Sequence, residues 1–325
     1  MAGLGTFISV GKSFDQAIDR VKLAEQLGYD STYVTHIAGR DSLTLLMAYA
    51  AATERIRLGT GVLPIYSRTP VATAQQAATI DEYSGGRMVL GLGVSHAVTV
   101  ENWYGTKIEH PVTVMREYVE LLRAMFEGRD PPESNYFPTR FRFMGYEPRA
   151  DQPIYVAALS TNMLRLAGEV ADGVMLWLCN PDYVRDVVVP AVRAGREKAG
   201  KDLEGFDVVA AVPAAVTDDR GAAYATMRAD LVTYWSLPFY RAMIERSGFG
   251  SEIAAFDAGI EKGDVEEAKR SISDAFLDSL TAIGSPEDVR AGIARYRDAG
   301  ATSPCVGPVP RTDFAATLEA AAPQN

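Results

Sequence analysis

The chain carries three histidines, His36, His96 and His110. His36 and His96 each follow an apolar run that reads as a strand, residues 31–35 and 88–94. Imidazole is the side chain best matched to proton transfer near neutral pH. Two of them at the ends of neighbouring even-numbered strands could aim into one mouth, as acid or base. The plainer reading, that each only hydrogen-bonds its own loop, stays open. No His-x-His or His-Glu-x-x-His pair occurs, so no metal site is expected. Neither a Gly-x-Ser-x-Gly elbow nor a Walker loop is present. Small residues mark three further places. Gly61-Val62 and Gly93-Val94-Ser95-His96 end strand candidates, where glycine lets a flat ligand approach the backbone or simply serves a turn. Ala157-Ala158-Leu159-Ser160-Thr161 leads into a helix whose first amides could hold a phosphate. Ordinary helix capping explains the same residues.

Such residues need a frame. Residues 56–63, 70–84 and 88–94 read as strand, helix, strand. Neither strand alternates apolar with polar, which suits parallel strands buried on both faces. Thr69 can cap the helix, Pro70 suits its first position, and Gly85-Gly86 permits a left-handed exit. Residues 4–10 and 31–35 give earlier strands, with Ser13 opening a helix by a capping-box pattern. Residues 153–158, 173–178, 206–212 and 302–306 give later strands, each followed by a helical pattern. Residues 129–150 break the rhythm with four prolines and an alternating stretch at 136–143 that suggests a hairpin. Residues 217–283 are long and mostly helical. Eight strands alternating with helices predict a (β/α)8 TIM barrel, an α/β fold, with insertions after strands four and seven. One domain over 1–325 is expected. An open dinucleotide-binding sheet would want Gly-x-Gly-x-x-Gly after the first strand, and the chain has Val10-Gly11-Lys12-Ser13 there.

The chain has 325 residues and a formal net charge of −10. That balance disfavours nucleic acid and anionic membrane as partners. Two cysteines, Cys179 and Cys305, point to reduced thiols rather than a stapled secreted scaffold. No signal segment or spanning apolar run is seen, so a cytoplasmic protein is expected. The cluster Tyr234, Trp235, Phe239 and Tyr240 could line a substrate cavity, but such stripes more often build core or oligomer interface.

Taken together, Arg57-Leu58-Gly59-Thr60-Gly61-Val62, Arg68-Thr69-Pro70, Asp81-Glu82-Tyr83-Ser84-Gly85-Gly86-Arg87 and Leu90-Gly91-Leu92-Gly93 resemble the luciferase-like monooxygenase superfamily. Ala167-Gly168-Glu169-Val170-Ala171-Asp172-Gly173 and Gly284-Ser285-Pro286-Glu287-Asp288-Val289 extend the likeness. It covers nearly the whole chain, least well in the two insertions. It lies nearer the deazaflavin branch, which uses coenzyme F420, than the FMN-dependent two-component monooxygenases.

The resemblance implies a cofactor at the carboxyl ends of the strands, a homodimer, and a non-prolyl cis peptide at Gly61–Val62 beneath the ring. It places Thr35 and His36 where related enzymes have an acidic residue and a histidine; the acidic partner is missing here. Val94, Ser95 and His96 fall on the segment that contacts the ring. His96 stands where the sugar-phosphate dehydrogenases carry a carboxylate proposed as proton donor. Ala158, Leu159, Ser160 and Thr161 fall where ribityl and phosphate groups bind, with Arg40 and Arg68 as candidate cations. The function expected is hydride transfer between F420 and a small-molecule substrate, with His96 as acid or base and His36 shaping the ring environment. The alternatives are an FMN-dependent monooxygenase and a non-catalytic flavin-binding protein.

Overall fold

The structure, a computed structural model, describes residues 3–323. Its strands are β1 (Gly5–Phe7), β2 (Ser31–Val34), β3 (Arg57–Thr60), β4 (Leu63–Pro64), β5 (Met88–Gly93), β6 (Ile154–Ala157), β7 (Gly173–Leu176), β8 (Asp207–Val216), β9 (Ala282–Gly284) and β10 (Ser303–Pro308). All pair in parallel in the order β10-β1-β2-β3-β5-β6-β7-β8, and β8 pairs back to β10 to close the barrel. β3 and β4 are two halves of the third barrel strand, parted by a cis peptide at Gly61–Val62, as the resemblance implied. The predicted TIM barrel is therefore present. β9, too short to stand out in the sequence, pairs only with the outer end of β8.

The helices up to β6 are α1 (Phe14–Gln26), α2 (Ser42–Ala52), α3 (Pro70–Ser84), α4 (Ala97–Tyr104) and α5 (Pro111–Phe126). Side-chain caps set the starts of α1 and α3 as the sequence suggested. Ser13 Oγ accepts from Gln16 N, and Thr69 Oγ1 from Ala72 N. The capping box is only half formed at Ser13, because Gln16 Oε1 accepts from Lys12 N rather than from Ser13. Gly85 and Gly86 take φ of 71° and 84°, ending α3 in the left-handed region.

The segment just past α3 proves to be scaffold. Arg87 donates to the carbonyls of Ala50, Thr53, Ile56 and Ser84 and to Thr53 Oγ1, tying α2, α3 and the start of β3 together. Buried Asp81 accepts both Arg149 nitrogens, at 2.8 and 2.9 Å, and the Met88 amide. The Asp81–Arg149 pair pins the end of the excursion over residues 129–150.

That excursion contains no strand, so the hairpin expected at 136–143 is not formed. Phe141, Phe143 and Tyr146 instead stack edge to face at 5.1 and 5.5 Å, and Tyr146 donates its hydroxyl to Ala78 O on α3. Alternating aromatics met a helix surface, not a partner strand, and the prolines removed ladder donors.

After β6 come α6 (Thr161–Val170), α7 (Pro181–Tyr183) and α8 (Val189–Lys198). Residues Val184–Val188 between the last two form a π-helical turn ahead of Pro190, which lacks the N–H that a regular turn would use. The second insertion holds α9 (Arg220–Trp235), α10 (Pro238–Ile244), α11 (Gly250–Glu261), α12 (Val265–Ser271) and α13 (Asp274–Leu280), and α14 (Pro286–Asp298) and α15 (Phe314–Ala321) complete the ring. Ser285 and Asp288 make a full reciprocal capping box at α14.

The barrel interior is filled by Tyr33, Val89, Tyr155, Met175, Val209 and Cys305, with Phe7, Val62 and Ala157 packed above them. Glycine makes room for these side chains. A Cβ on Gly59 would lie 2.5 Å from the Tyr33 ring, and one on Gly61 2.5 Å from the Phe7 ring.

Candidate active site

Phe7, Val62 and Ala157 are half-buried and form the floor of the barrel mouth. Gly93, at the end of β5, keeps that floor low, since a Cβ there would meet Val62 Cγ2 at 2.6 Å. The bulge is held from below, where Gly61 N donates to Val34 O at 2.8 Å.

The two strand-end histidines follow β2 and β5, the strands paired on either side of β3. His36 follows β2 and exposed Thr35. Its Nδ1 lies 3.1 Å from Ser42 Oγ and accepts from Ser42 N at 3.3 Å. Asp41, the N-cap of α2, is 3.8 Å from the same nitrogen and is ion-paired with Arg68. Burial, then the Arg68 charge, hold the imidazole below its ordinary range, while Asp41 pulls the other way. His96 is the N-cap of α4 and makes no capping bond through its side chain. Ser95 before it takes φ 60°, uncommon for a non-glycine residue, and this turns the chain out of β5. Burial alone lowers the His96 imidazole below its ordinary value.

An aromatic chain links floor to wall. Phe7 lies 5.6 Å from Tyr33 and 5.9 Å from Trp177, which is 6.3 Å from Tyr234. Tyr234 is 5.0 Å from Tyr240, and Tyr240 is 5.7 Å from the His96 ring. The aromatic cluster read from the sequence thus divides. Tyr234 and Tyr240 reach the mouth, Trp235 is core against Phe256 and Phe276, and Phe239 is exposed.

On the far side, Ala158 N donates to Met175 O, and Leu159 O accepts from Tyr183 Oη at 2.8 Å. Ser160 caps α6, and Thr161 opens it. Arg246, in the π-helical turn Glu245–Phe249, reaches back to Thr161 Oγ1 at 3.3 Å. A cation beside exposed helix amides suits an anionic group. The two arginines expected for that task are engaged elsewhere. Arg68 pairs with Asp41, and Arg40 points at the carbonyls of Gly11 and Lys12 at 3.4 Å. Sequence reasoning missed Arg246, because the helical pattern of residues 217–283 does not show which strand end the insertion meets. His110 lies at the start of α5 rather than at a strand end. Among the described residues, no cluster of three or more His, Cys, Asp or Glu could hold a metal.

An apolar floor, two imidazoles whose basicity burial lowers and an anion-compatible helix start fit a planar redox ring with a phosphate-bearing tail. The chain's relatives point the same way. A model of the luciferase-like monooxygenase family matches residues 2–303. The chain is 35% identical over 298 residues to a 5,10-methylenetetrahydromethanopterin reductase of Archaeoglobus fulgidus, covering 88% of this chain and 87% of the relative. It is 30% identical over 308 residues to a putative coenzyme F420-dependent oxidoreductase of Mycobacterium tuberculosis, covering 87% of each. The solved structure of a coenzyme F420-dependent tetrahydromethanopterin reductase from Methanopyrus kandleri matches with TM-score 0.83 at 25% identity, over 99% of this chain and 97% of that one.

Proposed function

The chain belongs to the luciferase-like monooxygenase family, and from that premise we propose that it is an F420-dependent oxidoreductase acting on a small organic substrate. The observation that supports this reading is a glycine-lowered apolar floor by the split third barrel strand, with His36 and His96 following the two strands paired beside it and burial lowering the basicity of both. The deazaflavin, when bound, supplies hydride chemistry. Val62, Ala157 and Phe7 would support its ring, and the α6 start with Ser160, Thr161 and Arg246 would hold its phosphate. His96 would hand a proton to, or take one from, the substrate atom next to the reacting carbon. Its depressed basicity makes the protonated form a ready donor. Tyr234 and Tyr240 cover the mouth and exclude water. Because Tyr240 touches His96, the second insertion and the barrel act as one functional unit. A homodimer in the cytoplasm fits this reading. Among the described residues no helix is long and apolar enough to cross a membrane.

Titrating cofactor-free protein with F420 and with FMN, followed by fluorescence, tests the proposal. Saturable F420 binding at least tenfold tighter than FMN is expected. Tighter FMN binding, with oxygen consumed in the presence of reduced FMN, would replace it with a monooxygenase.

A further inference from the structure

The two imidazoles at the mouth are held in different ways. His96 touches a tyrosine ring, and no charged group shifts its basicity. His36 is gripped at one nitrogen. The main-chain N–H of Ser42 points at Nδ1 from 3.3 Å. An amide N–H can only donate, so Nδ1 is the acceptor and carries no proton. Ser42 Oγ, 3.1 Å away, can rotate to donate to the same nitrogen. The neutral ring then keeps its single proton on Nε2. Asp41 Oδ2, at 3.8 Å, is beyond hydrogen-bond reach of Nδ1, and Arg68 occupies it. The charged groups around the ring are thus Asp41 at the start of α2 and Arg68 ahead of α3, and they are paired with each other. Nε2 makes no hydrogen bond among the described residues, yet it is not one of the sealed-off polar atoms.

We propose that Ser42 is a positioning residue whose main-chain N–H fixes His36 as the Nε2–H tautomer, making His36 a standing hydrogen-bond donor at the mouth and leaving proton transfer to His96. The tautomer rests on geometry alone; the division of labour rests on the oxidoreductase reading. A donor fixed in this way selects ligands. A bound molecule that offers a carbonyl oxygen or ring nitrogen to Nε2 completes the site. One that offers only carbon leaves a half-buried N–H unpaired, and a site of that kind rejects such an analogue strongly. The substrate or cofactor edge that meets His36 therefore carries an acceptor atom.

Nitrogen-15 NMR of histidine-labelled, cofactor-free protein tests the tautomer without any turnover. Three imidazoles give a readable spectrum, and the His36→Gln spectrum assigns the one that disappears. At pH 7 the His36 signals are expected to show a protonated Nε2 and a bare Nδ1. A proton on Nδ1, or an imidazolium at that pH, overturns the proposal. Ser42→Ala keeps the amide and is expected to keep the tautomer; a switch there would make the hydroxyl the anchor and overturn the role of the N–H. Ser42→Pro removes the amide at the first helical position, where proline is tolerated, and is expected to give a mixture of tautomers. An unchanged Nε2–H in that variant also overturns it.

The functional half is read from isosteres. The glutamine amide nitrogen can stand in for Nε2, whereas that of asparagine stands nearer Nδ1. His36→Gln is expected to recover at least tenfold of the turnover that His36→Asn loses, and equal losses would refute a donor at Nε2. If no deazaflavin supports turnover at all, the oxidoreductase reading fails, while the NMR result still decides the tautomer.

Discussion

Gly93→Ala probes the floor directly. The backbone φ of Gly93 is not in the left-handed region, so the change is steric alone. The new Cβ would stand 2.6 Å from Val62 Cγ2 and 3.5 Å from Ala157 Cβ. Carbon atoms rest at about 3.5–4.0 Å, so the Ala157 contact is ordinary and the Val62 contact overlaps by about 1 Å. Overpacking of this size costs about 1–3 kcal/mol. Losing a glycine from the unfolded chain returns about 0.4–1 kcal/mol, leaving a net destabilisation of about 1–2 kcal/mol. Val62→Ala removes two half-buried methyl groups, worth about 0.8–1 kcal/mol together.

The two changes are coupled, because Val62→Ala deletes the atom that the new methyl strikes. In a double-mutant cycle followed by urea unfolding, Gly93→Ala/Val62→Ala is expected to cost at least about 1 kcal/mol less than the sum of the single variants. Additivity within about 0.5 kcal/mol would show that the two residues do not share the floor. Gly93→Ala alone raises Val62 into the space assigned to the ring, so an F420 dissociation constant about tenfold weaker is expected, equivalent to about 1.4 kcal/mol.

Three further outcomes follow from the same contacts. Folding holds His36 and His96 below the ordinary imidazole value of 6.5, through burial first in both. Below about pH 6.5 the unfolded chain therefore binds more protons than the folded one, and stability falls as pH drops, so melting at pH 5.5 is expected below that at pH 7.5 and the gap narrows in His96→Asn. Arg246→Ala is expected to weaken F420 binding about tenfold, with reduced salt dependence, as loss of a charge-assisted contact would; a deazaflavin truncated before its phosphate should bind wild type and variant alike, and equal weakening of both ligands would remove Arg246 from the phosphate. Tyr240→Ala uncovers the His96 ring, which relieves the burial that depresses it, so the limb of the pH–rate profile that His96 sets, the alkaline one for a proton donor and the acid one for an acceptor, moves upward, and a profile with both limbs fixed would mean that His96 sets neither.

What could be read in the chain divides along physical lines. The parallel strands were legible because each is a short apolar run buried on both faces and bounded by a cap or a glycine, and the run at residues 56–63 was misjudged only in being continuous. The most recognisable motif, Asp81 to Arg87, proved to be scaffold: Arg87 serves three carbonyls beyond its own turn, and Asp81 anchors residues 129–150 through Arg149. Its residues are fixed by many hydrogen bonds at once, which is why the pattern is easy to recognise and says little about chemistry.

The site residues show the reverse. His36 and His96 could be picked out by type and place, yet what each can do depends on a neighbour. The group that meets His36 Nδ1 is the Ser42 main-chain N–H, which every non-proline residue possesses and no side-chain pattern reveals. Arg246 stands 85 residues from Thr161, whose hydroxyl it meets, in a stretch that reads as helical but gives no sign of which strand end it faces. Tyr240 is more remote still from His96 in sequence. The second insertion thus meets the strand ends through contacts such as Arg246–Thr161 and Tyr240–His96, and the pairing of a side chain with its partner there is a property of the folded chain alone.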